Sequence, residues 1–219
     1  QAGVQVRFLY DEVGCLRLSY AYFRKLTDAG IDVRSFNTRQ GWVNRFQINF
    51  RNHRKFIVVD GERSILGGLN IGDPYIGASV GREKCRDSAV WMSGPVSRKV
   101  QAVFAGDYYW AAREDLPEAK WDSAANDDGQ ETNAAVCATG PADLRPRAAM
   151  MFAAAASAAE SRLWISTPYL VPDESSLVAL HMAKARGVDV RMLIPNVSDH
   201  WGVYMAGFHY EQELSEAEI

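Results

Sequence analysis

Two distant stretches of the chain are nearly the same strand. Gly3-Val4-Gln5-Val6-Arg7-Phe8-Leu9 and Gly187-Val188-Asp189-Val190-Arg191-Met192-Leu193 agree at five of seven positions. A later helix over Trp201–Ser215 then leads into Glu216-Ala217-Glu218-Ile219, which parallels Asp28-Ala29-Gly30-Ile31. Self-similarity at a long offset, about 184 residues at the first match and about 188 at the second, implies a duplicated architecture. In the first copy the alternating run ending at Asp11 reads as a strand. Ser19–Ala29 reads as a helix stopped by Gly30, and Ile31–Phe36 as a second strand. Strand, helix, strand predicts a parallel pair in an α/β sheet.

The rest of the chain alternates in the same way. Phe56–Val59 and Ile65-Leu66 flank an Asp60-Gly61 pair and predict a β-hairpin. The apolar, β-branched run Phe56–Val59 reads as a buried strand. A short strand at Ala89–Met92 precedes Gly94-Pro95 and a helix over Val96–Ala112. Further on come a possible short strand at Val136–Thr139, a helix over Arg147–Glu160, a buried-type strand at Leu163–Thr167, a helix over Glu174–Ala185 and a strand at Val188–Ile194. Residues 122–134 are acidic and nearly free of large apolar side chains, the composition of a linker. They separate a first half-domain, residues 1–121, from a second, residues 135–219. The expected fold is α/β, with mixed, mostly parallel sheets flanked by helices in two pseudo-repeated half-domains. Carrying the repeat forward puts a second copy of His53 at about position 241, so both halves are expected to be incomplete at the chain ends.

Composition narrows the function classes. The net charge of −3 disfavours a surface built to hold nucleic acid. Cys15, Cys85 and Cys137 are far apart, which disfavours a disulfide framework or a zinc site and makes a reducing compartment the default. No run approaches the ~18 apolar residues of a membrane span. Charge is nonetheless concentrated locally: between Asp32 and Asp60 there is no acidic residue, while Arg34, Arg39, Arg45, Arg51, Arg54 and Lys55 fall there. Trp42, Val43, Phe46, Ile48 and Phe50 interleave with those arginines, a mixture suited to stacking on bases, to a lipid headgroup layer or to packing on the core.

His53 and Lys55 lie two apart at the entry to the Phe56–Val59 strand, so their side chains share a face. Asp60 is of opposite parity and sits at the hairpin turn, which leaves His53 and Lys55 as the stronger catalytic candidates. The second hairpin strand runs into Gly67-Gly68-Leu69-Asn70. Glycines there let backbone N–H groups approach an anion, and the Asn70 amide can donate to a phosphate oxygen.

His53-x-Lys55-x4-Asp60 followed by Gly67-Gly68-x-Asn70 resembles the phospholipase D superfamily. With Val4–Asp11, Arg86-Asp87, Asp107–Trp110, Thr167-Pro168-Tyr169-Leu170-Val171-Pro172-Asp173 and Ser198-Asp199-His200, the chain resembles the superfamily's bacterial cardiolipin synthase branch over nearly its whole length outside the acidic linker. The resemblance implies transfer of a phosphatidyl group between two phosphatidylglycerol molecules, giving cardiolipin and glycerol through a phosphohistidine on His53. It requires neither cofactor nor metal. It implies catalytic roles for His53, Lys55, Asp60, Asn70 and Asp87, the last as a carboxylate that orients the His53 ring. Arg51, Arg54, Gly67, Gly68 and Tyr169 are the expected substrate contacts. The expected partners are an anionic phospholipid and a membrane surface, at the bacterial inner membrane with a cytoplasmic-type reducing setting, and no nucleic acid. The superfamily builds one site from two such motifs, so a second motif from outside this chain, or from a homodimer, is expected. The alternatives are hydrolysis of a phosphodiester by the same chemistry and an inert half-site.

Overall fold

The computed structural model describes residues 3–36, 50–72, 75, 87–122, 132–195 and 201–219. Its α/β architecture forms two compact units, Gln1–Ala142 and Asp143–Ile219. The Arg39–Phe50 stretch up to residue 49, most of the acidic linker and Ser198–His200 lie outside the described residues.

The first unit opens with strand β1 (Arg7–Asp11), helix α1 (Tyr20–Asp28) and strand β2 (Asp32–Phe36), and β1 pairs with β2 in parallel, Arg7 opposite Asp32. The Ser19 hydroxyl caps α1 by accepting the Tyr22 N–H at 3.3 Å. The helix ends where Gly30 turns left-handed (φ 83°), its N–H bonded to the Thr27 carbonyl and that of Ile31 to the Leu26 carbonyl. This pair of bonds satisfies two helix-end carbonyls and needs a residue tolerant of positive φ.

Strands β3 (Phe56–Val59), β4 (Arg63–Gly67) and β5 (Ala89–Ser93) form an antiparallel meander. The β3–β4 turn carries positive φ at both Asp60 (53°) and Gly61 (69°), closed by the Glu62 N–H on the Val59 carbonyl. That is the hairpin geometry an Asp-Gly pair favours. A Cβ at Gly61 would fall 2.6 Å from the Lys120 carbonyl, so this glycine is also required for close approach.

Helix α2 (Pro95–Ala112) joins the two sheets of this unit. Its first half lies on the meander, where the buried Ser64 and Ser97 hydroxyls meet at 2.9 Å and Phe104 meets Phe56 edge-on. Its second half reaches β2: the Tyr108 hydroxyl donates to Asp32, and Trp110 packs with Phe36 and Phe50. The core here is Val100, Tyr108, Phe36 and Leu116. Phe50, the one described residue of the Arg39–Phe50 stretch, is thus a packing residue.

The second unit comprises α3 (Arg147–Ala158), β6 (Arg162–Ser166), α4 (Glu174–Ala185), β7 (Asp189–Leu193) and α5 (Trp201–Glu216). Strands β6 and β7 are parallel, and Leu163, Ile165, Val190 and Met192 pack with Leu170, Leu180, Ala183 and Leu214 into one core.

Three expectations change. The sheets are mixed, but among the described residues antiparallel pairings are as many as parallel ones. Strand β3 is not buried on both faces: Ile57 is 62% exposed, and Trp164 on β6 is 59% exposed. In the described structure each of these strands turns its alternate residues onto a helix and leaves the others outward, so a continuous apolar run marks one covered face rather than two. Residues 136–139 form no strand. Instead, the Thr139 carbonyl accepts the Arg54 guanidinium at 2.7 Å.

Candidate functional site

Strand register gathers one side of the site. The Gly67 N–H bonds to the Lys55 carbonyl at 3.1 Å, and Gly67 stands opposite Ala89 on β5. Lys55, Gly67-Gly68 and Asp87-Ser88 therefore lie at one end of the meander, though they are far apart in sequence. The fit is close, since a Cβ on Gly68 would collide with the Asp87 carboxylate and one on Gly67 would fall 2.6 Å from the Ser88 carbonyl. Glycine at both positions is what lets the turn after β4 pass against the start of β5.

His53 lies just before β3. The Lys55 ammonium folds back to donate to the His53 carbonyl at 2.6 Å, which brings the two candidate residues together. Among the described residues no hydrogen bond engages the His53 ring. Partial burial, then the positive charges of Arg51 and Lys55, hold its pKa below the usual imidazole value, against the opposing pull of Asp11. Lys55 is held below the usual ammonium range by burial and by Arg51, while Asp11 and Asp87 oppose the shift.

Other expected residues stand differently. Asp60 occupies the hairpin turn at the opposite end of β3 from His53, with Lys120 at 4.0 Å. Asp87 accepts the Ser88 N–H at 2.7 Å and acts electrostatically on Lys55, and the carboxylate whose charge reaches His53 is Asp11. Arg51 and Arg54 are each ion-paired. Arg51 pairs with Asp11 at 2.8 Å and Arg54 with Asp107 at 2.6 Å. Lys55 makes no ion pair among the described residues, so it is the charge left available beside His53. Asn70 donates its amide to the Tyr75 hydroxyl at 3.0 Å. Tyr169 belongs to the second unit, where Thr167 and Tyr169 exchange bonds in the loop after β6.

Sequence reading assigned no role to Asp11, Asn52, Tyr75 or Asp107, although Asp11 and Asp107 lie in stretches that carry the resemblance. Asp11 accepts from the Gly14 N–H (2.6 Å), from Arg51 Nε and NH2 (3.1 and 2.8 Å) and, through its second oxygen, from the Asn52 N–H (3.0 Å). Burial would raise its pKa, but these bonds outweigh burial and hold the carboxyl below its usual range. Asp107, on α2, accepts from the Asn52 side-chain amide at 2.9 Å and from Arg54 NH1 at 2.6 and 2.8 Å. No local pattern marks a carboxylate that acts across 40 to 55 residues.

A family model described as cardiolipin synthase, phospholipase D-like domain, matches residues 1–108 and 152–219. Among curated proteins, the chain is 44% identical over 217 residues to cardiolipin synthase A of Pseudomonas fluorescens and 45% identical over 220 residues to cardiolipin synthase A of Pseudomonas entomophila. Each alignment covers 99% of this chain and 45% of the relative. The chain thus spans about half the length of the curated relatives it matches.

Proposed function

The chain belongs to the family of cardiolipin synthase, phospholipase D-like domains, and from that premise we propose that it carries one half-site of a phosphatidyltransferase, with His53 as the nucleophile. One observation carries this reading. The His53 imidazole is biased to its neutral form by burial and by Arg51 and Lys55, so a nitrogen lone pair is free at neutral pH beside a cation that attracts phosphate. Attack on the phosphorus of phosphatidylglycerol forms a P–N bond and expels glycerol, and attack by the hydroxyl of a second phosphatidylglycerol then breaks the P–N bond and gives cardiolipin. In this reading Lys55, the Gly67-Gly68 backbone and Asn70 stabilise charge on the phosphoryl oxygens, an effect worth up to ~3 kcal/mol per donor in other enzymes. The departing glycerol oxygen needs a proton, which a second His-x-Lys motif, from further chain or from another copy, supplies as general acid. Asp60 in this reading shapes the hairpin, and Asp87 supports Lys55.

The substrate is an anionic phospholipid presented at a membrane surface, by inference the bacterial inner membrane. Among the described residues no helix is long and apolar enough to cross a membrane. Residues 122–134 serve as a linker between half-domains in the same scheme.

The test is intact mass after incubation with phosphatidylglycerol micelles, beside a His53→Ala variant. A phosphatidyl adduct present in the wild type and abolished in the variant supports the reading. An adduct that persists in the variant, or one mapped to another residue, overturns it. The adduct rate should climb with pH through the His53 titration, below about 6.5, and level off above it. A rate that falls over that range would mean the protonated ring is the reactive form.

A further inference from the structure

We propose that Asp11 and Asp107 are positioning residues for His53, a two-carboxylate clamp that holds the segment 51–55 from two separate elements. Asp11 closes β1, which is fixed by its ladder to β2. Asp107 lies on α2, which is fixed against the β3–β5 meander and against β2. Their bonds converge on the residues that flank His53. Asp11 takes the side chain of Arg51 and the backbone N–H of Asn52. Asp107 takes the side chains of Asn52 and Arg54. The Asn52 side-chain oxygen then accepts the Arg54 N–H at 2.9 Å, which links the two carboxylates across the histidine. Arg51, Asn52 and Arg54 are each tied down, while the His53 ring between them makes no hydrogen bond among the described residues.

A segment carrying four cationic or ionisable side chains within five residues would otherwise spread apart by charge repulsion. The clamp neutralises Arg51 and Arg54 where they stand and leaves Lys55 as the cation of this segment that makes no ion pair among the described residues. It thereby sets both the direction of the His53 ring and the charge beside it, and a displacement of about 1 Å in such a group can cost a hundred-fold in rate. The carboxylate that reaches His53 is on this account Asp11, acting through Arg51 and the Asn52 backbone, rather than Asp87. The catalytic meaning of the clamp rests on the phosphohistidine reading above, but its physical existence does not.

The experiment uses the 219-residue chain with Asp11→Asn and Asp107→Asn. Amide exchange followed by NMR should quicken about ten-fold at Asn52 in the first variant and about ten-fold at Arg54 in the second, beyond any change shared by the β3–β5 amides. The groups facing the His53 ring are Arg51, Lys55 and Asp11. In Asp11→Asn the midpoint of its NMR titration should therefore fall, because the one nearby anion is gone and Arg51 is released. The charge change alone produces that shift, so the positioning role is read from the exchange rates and from the adduct rate. Where phosphatidylglycerol micelles give the His53 adduct, its rate at saturating lipid should drop about a hundred-fold in both variants with half-saturation unchanged. Wild-type exchange at Asn52 in Asp11→Asn and at Arg54 in Asp107→Asn would overturn the clamp. Exchange needs no substrate, so it decides the clamp even if the wild type forms no adduct, an outcome that bears only on the functional reading.

Discussion

Strands β1 and β7 carry one sequence pattern, and the helices that follow them, α1 and α5, end in one geometry. At the end of α1 Gly30 is left-handed and the Ile31 N–H reaches the Leu26 carbonyl at 3.1 Å. At the end of α5 Glu218 is left-handed (φ 59°) and the Ile219 N–H reaches the Leu214 carbonyl at 2.9 Å. Beyond this backbone likeness the copies diverge. Arg7 is engaged by Glu118 and Leu9 is half-buried, whereas Arg191 lies over Trp164 beside Asp189 and Leu193 is 70% exposed. The residue that follows the apolar run is Asp11 in the first copy and Pro195 in the second. A repeated pattern therefore dictates the course of the chain. Whether a strand end becomes part of a site depends on the carboxylate placed there and on what packs against it.

Each difference can be pressed by substitution. The largest effect belongs to Asp11→Ala, which leaves the mostly buried Arg51 without its partner and removes an acceptor of four bonds. It should cost about 2–3 kcal/mol in denaturant unfolding of the first unit. A cost near zero would mean the two copies differ at this corner in sequence only. The same carboxylate gives a pH signature. Its folded pKa is depressed, so its contribution is complete above the unfolded value of about 3.9 and is lost as pH falls through the folded value. Acid titration of the wild type against Asp11→Asn should show that loss only in the wild type.

Leu9→Ala comes next, at about 1–2 kcal/mol, because a half-buried leucine loses part of its transfer free energy and leaves a partial cavity. Gly30→Ala should cost about 1 kcal/mol from the left-handed backbone alone, since nothing lies within 4 Å of the added Cβ. Glu218→Gly, at the matching corner, should change stability in the opposite sense, a gain of about 0.5–1 kcal/mol. Leu193→Ala should move the melting curve least, within about 0.5 kcal/mol. If Leu193→Ala costs as much as Leu9→Ala, the exposed face of β7 is covered in solution and the contrast between the copies fails.

Much of the scaffold was legible because its signals are local. Ser19 and Gly30 mark the ends of α1, the Asp60-Gly61 pair marks the hairpin, and the Asp173 carboxylate caps α4 by accepting the Ser176 N–H at 2.9 Å. Each works within a few residues of itself. The site was legible only where it follows the motif. His53 and Lys55 emerged from spacing, but Arg51 and Arg54 showed only as part of a basic stretch, because their partners are remote. Asp11 and Asp107 lie in stretches that carry the resemblance, but nothing local in them, an acid at the end of a strand and one on the face of a helix, shows which cations they hold. Buried-strand readings failed for β3 and β6, since an apolar run does not report how many of its faces are covered.

The sequence by itself determined where strands, helices and tight turns fall, and it supplied a histidine and a lysine at strand-entry spacing. These follow from dihedral preferences, capping and side-chain periodicity, which act between neighbours along the chain. Tertiary structure decided which charges remain free. Only the parallel ladder of β1 with β2 and the packing of α2 against both sheets bring Asp11 and Asp107 to Arg51, Asn52 and Arg54. Electrostatic interaction falls off with distance in space, not along the chain, so the pairing of two arginines and the isolation of Lys55 beside His53 come into being only with the fold.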